Sequence, residues 1–113
     1  MARSVRTLIH DAQREIGAGQ LLPARAAELL LELTALMGNV NDEIRLADHA
    51  YAVVLVEHLE RHEAAARAKI RAETSAEYGR RREARDTKEL VQEMVRSLKY
   101  FLRSSEEEMR LSR

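Results

Sequence analysis

One apolar stripe constrains this chain more than any other feature. Leu30, Leu33, Met37, Val40, Ile44, Ala47, Tyr51, Val54 and His58 follow one another in steps of three and four. That spacing is the repeat of a single helix face turned toward a partner helix. It survives passage through Gly38-Asn39-Val40-Asn41, where the local chemistry is that of a break, with Gly as a C-cap and Asn as an N-cap. A turn has no reason to preserve phase. The reading favoured is therefore one continuous helix over 24–75, weakened at Gly38; the alternative is two helices folded back on each other at 38–41.

The flanking segments read as elements that pack on the stripe. Residues 4–16 place Val5, Leu8, Ile9, Ala12 and Ile16 on one helix face, and Gly17 and Gly19 stop it. Pro23 suits the first turn of the next helix, where its missing N–H costs nothing. Thr74 to Gly79 lowers helix propensity, and Gly79 is read as the hairpin bend. A return helix is expected over 86–111, capped by Asp86 or Thr87, with Leu90, Val91, Met94, Val95, Leu98, Phe101, Leu102 and Met109 on its buried face. The expected fold is all-α: a single domain over 1–113, an elongated, coiled-coil-like helical hairpin with a short N-terminal helix.

Length then argues for assembly. At about 1.5 Å per residue, a 24–75 helix is roughly 75 Å long and an 86–111 helix roughly 40 Å. Such a return helix covers only the second half of the long one. Leu29, Leu30, Leu33, Leu36, Met37, Val40, Ile44, Ala47 and Tyr51 are then expected to form the interface of a dimer or higher homo-oligomer.

Charge adds a second candidate surface. The chain carries 19 Lys and Arg against 19 Asp and Glu, so no global field attracts nucleic acid or membrane. The distribution is uneven: residues 42–63 are acidic and residues 64–88 basic. Arg80, Arg81, Arg82, Arg85 and Lys88 beside Tyr78 are candidates for phosphate contacts with base stacking on the tyrosine. The plainer reading is a solvated tip whose arginines pair with Glu77, Glu83 and Asp86.

Catalysis finds little footing. There is no Gly-rich phosphate loop and no nucleophile elbow, and the few Ser and Thr lie near helix ends. No cysteine is available for a disulfide or a thiolate metal site. His58 and His62 are four apart, but Leu59 follows His58 where a metalloprotease helix has Glu, and no third ligand stands out. The expectation is no enzyme, no metal and no cofactor. His58 on the stripe also reads as a polar residue that fixes register in a coiled coil. No apolar run approaches the ~20 residues of a membrane span, and a cytoplasmic protein is expected.

The order Glu57-His58-Leu59-Glu60, Ala72-Glu73, Arg81-Arg82-Glu83-Ala84-Arg85, Val95 to Ser104 and Glu108 to Ser112 resembles small α-helical proteins of actinobacterial tailed phages and prophages. The resemblance covers about residues 40–113. It implies a long helix, an Arg-Glu-Ala stretch after a bend and a return helix. It also implies a place near DNA-recombination genes and, if phage-encoded, a host-cell cytoplasmic location. It carries over no catalytic residue. The function expected is a non-catalytic phage-type accessory acting by self-assembly and binding of an unknown protein partner. The alternatives are a nucleic-acid-binding accessory of recombination or replication using 78–88, and an inhibitor of a host or defence protein.

Overall fold

The computed structural model describes residues 5–61 and 64–112. The chain is all-α, with four helices in sequence: α1 (Val5–Gly17), α2 (Pro23–Arg61), α3 (Ala65–Glu73) and α4 (Ala76–Leu111). None of the described helices is long and apolar enough to cross a membrane. Two compact units share the long helices: Met1–Asn39 with Glu89–Arg113, and Val40–Lys88.

The first unit combines α1, the opening 17 residues of α2 and the closing stretch of α4. α1 ends in a turn in which Ala18 N–H donates to Arg14 O and Gly19 takes φ +75°. That left-handed backbone is where glycine is needed, because a Cβ crowds the following carbonyl. α2 opens on Pro23, as expected. The core of this unit is Ile9, Ala12, Ala26, Leu29, Leu33, Val91, Met94 and Leu98, all buried. Every one lies on the apolar face that the three-and-four spacing selects.

The second unit combines residues 40–61 of α2 with α3 and the first turns of α4. Val40, Ala68, Ala72 and Ala84 are buried, and Ile44, Ala47, Tyr51, Val54 and His58 are half-buried. Here the buried residues are largely alanine, whose small side chains permit close approach of helices. The Tyr51 and Tyr78 ring centroids are 5.3 Å apart at 50°, a tilted aromatic arrangement.

α2 runs unbroken through Gly38-Asn41, as the phase of the stripe predicts. The 24–75 helix does not. α2 closes at Arg61, Ala64 has extended backbone (φ −98°, ψ 121°), and α3 is a separate helix. The bend lies at Thr74-Ser75 rather than at Gly79. Thr74 N–H and Oγ1 both donate to Arg71 O, at 3.2 and 2.8 Å. Ser75 Oγ accepts from Tyr78 N–H at 3.2 Å, which caps the N-terminus of α4. Glu77 follows in the first turn, where a carboxylate favours the helix dipole. Gly79, Asp86 and Thr87 are therefore interior to α4, and Thr87 Oγ1 bonds back to Glu83 O instead of capping.

The end of α2 at Arg61 and the grouping of residues 89–113 with 1–39 remove the premise for the expected interface. α4 has 36 residues against 39 in α2, not the 26 of an 86–111 helix. None of the nine proposed interface residues is exposed: Leu29, Leu33 and Val40 are buried within the single chain, and Leu30, Leu36, Met37, Ile44, Ala47 and Tyr51 are half-buried.

Gly38 is exposed, and a Cβ built on it meets nothing within 4 Å. Gly38→Ala is therefore expected to stabilise the protein by about 0.5–1 kcal/mol through the unfolded chain. Thermal denaturation should show a rise of a few degrees. A fall would mean that the helix needs a hinge there.

Candidate functional site

A concave feature of the first unit lies along α1 and α2. It is a cleft of about 430 Å³. Leu8, Ala12, Leu29, Leu33 and Leu36 give it an apolar floor, and Asp11, Glu15 and Glu32 stand at its rim with Arg25. The sequence reading placed Leu29, Leu33 and Leu36 at an interface. In the structure they share this cleft, with Leu29 and Leu33 at its base and Leu36 half-buried.

Arg25 organises the rim. Its Nε donates to Glu15 Oε1 at 2.6 Å and its Nη2 to Glu15 Oε2 at 2.9 Å, a paired contact from α2 to α1. Nη1 reaches Glu28 at 3.0 Å and, more weakly, Glu32 at 3.3 Å. The fork geometry of a guanidinium allows this sharing. Asp11 pairs with Arg14 on α1. Four carboxylates thus surround two guanidiniums, which leaves the rim acidic by two charges.

The hydrogen bonds from Arg25, aided by its charge and opposed by desolvation, hold the Glu15 carboxyl below its ordinary 4.5. The same contacts raise the Arg25 pKa still further, so it stays charged. A carboxyl with a depressed folded-state pKa contributes stability at pH above its unfolded value and loses it as pH falls through its folded value. Glu15→Gln is therefore expected to flatten the loss of Tm on acidification from about pH 5 to about pH 3. Melting curves across that range check it, and parallel slopes would remove the assignment.

The basic stretch takes a different form from a free tip. Arg81 Nε donates to Asp48 Oδ1 at 2.9 Å, and Arg85 Nη2 lies 3.2 and 3.3 Å from the two Asp48 oxygens. The Arg81 guanidinium also sits 4.9 Å from the Tyr51 ring centroid, within cation–π range. Tyr78 packs on Tyr51, and Arg80 pairs with Glu77 at 3.6 Å. Arg82 is exposed and Lys88 half-buried. The partner expected from the sequence is thus present for Arg80. For Arg81 and Arg85 it is Asp48 of α2, which no local spacing reveals.

His58 is half-buried on the stripe, while His62 and Glu63 lie outside the described residues. A second apolar row runs along α2 in the other unit: Leu46, Val53 and Val56, with His49 between, are exposed at steps of three and four.

Sequence reasoning missed the acidic rim. Arg25, Glu28 and Glu32 are legible as a helix-surface set at i, i+3 and i+7. Glu15 is joined to them only by the turn at 18–22, and periodicity does not carry across a turn. Comparison with protein-family models, curated proteins and solved structures finds no match to the chain.

Proposed function

We propose that the protein is a non-catalytic accessory of phage type that acts through helix-mediated self-assembly and partner binding. The observation that carries this reading is the cleft along α1 and α2. Half-buried Leu8 and Leu36, above buried Leu29 and Leu33 and beneath a charged rim, suit the apolar face of a helix. The exposed row Leu46, Val53 and Val56 adds a second surface of the same kind. The phage attribution rests on the sequence resemblance over about residues 40–113.

Nucleic-acid binding through 78–88 is the less favoured reading, because Arg81 and Arg85 are turned onto Asp48. A salt-sensitive DNA shift abolished by Arg80→Ala with Arg82→Ala would promote it.

Light scattering on the full chain tests the favoured reading. The expected mass exceeds the 12.9 kDa of one chain and rises with concentration. A single-chain mass throughout the micromolar range and above would contradict self-assembly.

A further inference from the structure

Several large hydrophobic residues are exposed, and one of them stands on a helix that docks by its alanines. Ile70 is 64% exposed at the centre of α3. It stands two residues from each of Ala68 and Ala72, which are fully buried. At about 100° per residue it points away from the face they bury. A short helix thus docks by its alanines and presents its one large aliphatic side chain to solvent. Ala66, one turn earlier on the same outer side, is small and exposed. Arg67, Lys69 and Arg71 surround Ile70 and are all exposed, against Glu73 alone. The outer side of α3 is therefore an aliphatic anchor in a basic setting.

The cleft of the first unit has the complementary character. Its floor is aliphatic, and its rim carries Asp11, Glu15 and Glu32 around Arg25. The net charge of each surface is two, with opposite signs.

We propose that the cleft receives α3 of a second copy of this chain, with Ile70 seated against the half-buried Leu8 and Leu36 and the α3 basic residues facing Glu15 and Glu32. This rests on the self-assembly reading above and names its contact. Each copy offers one cleft and one α3, so the contact is head-to-tail. Copies add until a ring closes or a filament grows. One helix of nine residues buries little area, so the association is weak, depends on concentration and is sensitive to salt.

Two full-length variants separate the halves of the contact. Ile70→Glu removes the anchor. Ala35→Arg blocks the cleft from an exposed helical position, where Arg is a good helix former. Both should retain wild-type melting curves and show association weakened tenfold or more. An equimolar mixture should give a species of two copies and nothing larger, because only one intact cleft and one intact α3 remain in the pair. For the wild type, raising salt from about 50 to about 500 mM shortens the screening length and should lower the mass.

Association unchanged in both variants, or tightened by salt, overturns this contact. If that association is instead lost in Leu46→Glu with Val53→Glu, the self-assembly reading stands and only the contact falls. A wild type that stays at single-chain mass at every concentration overturns both.

Discussion

Leu33→Ala is expected to lower the stability of the protein by about 2–5 kcal/mol, the range for removing a buried leucine and leaving part of the cavity behind. Leu33 is 1% exposed within a single chain and shares its core with Leu29, Val91, Met94 and Leu98. The loss is large against the roughly 5–15 kcal/mol that holds most domains folded. Urea denaturation should show it as a lower midpoint. The same residue at an interface between copies would behave differently. Its truncation would lower the mass by light scattering and make the apparent stability depend on concentration. A Leu33→Ala midpoint within about 0.5 kcal/mol of wild type, the usual scale for surface changes, would mean that its burial is not intramolecular.

Ala72→Leu is the second large effect, and it acts in the other unit. α3 docks through Ala68 and Ala72, both with no exposed surface. A leucine has no room there without displacing the helix, and overpacking costs about 1–3 kcal/mol, occasionally more. Thermal denaturation should show a clear drop in Tm, with faster proteolysis near residues 64–75. Ile70→Glu on the opposite side of the same helix should leave Tm within a degree or two, since surface changes are usually worth less than about 0.5 kcal/mol. The contrast between two positions two residues apart tests the orientation of α3. Equal effects at both would contradict it.

The long-range pattern of the fold was legible because burial follows period. The stripe from Leu30 to His58 carried α2 through Gly38 correctly, and Pro23 and Gly19 marked their turns. What failed was punctuation set by tertiary structure. Nothing between Arg61 and Ala65 resembles a stop: Ala64, Ala65 and Ala66 follow, and alanine is the best helix former. Ala64 is nevertheless extended, and α3 buries Ala68 and Ala72. At the other bend, glycine drew attention to residue 79, while Ser75 supplied the cap four residues earlier. That shift lengthened the return helix by ten residues within the second unit, while the first half of α2 is grouped with residues 89–113, which the expected return helix largely contained.

The candidate site was half legible for the same reason. Its floor of Leu29, Leu33 and Leu36 obeys helical spacing. Its rim depends on Glu15 meeting Arg25 from another helix, and Arg81 meets Asp48 in the same way. Such pairs are set by packing between helices, which one-dimensional spacing does not encode. The outward Ile70 was visible as an aliphatic residue among cations. It becomes informative only once Ala68 and Ala72 are known to face inward.

Amide hydrogen exchange on the wild-type chain, in dilute and in concentrated solution, tests the central claim most directly. The account predicts strong protection of residues 29–40 and 91–98 even when dilute, because Leu29, Leu33, Val40, Val91, Met94 and Leu98 are buried within one molecule. It predicts protection that grows with concentration on α1 and α3. Residues 29–40 that exchange freely in dilute protein and slow only when concentrated would contradict it, since the stripe would then be buried between copies.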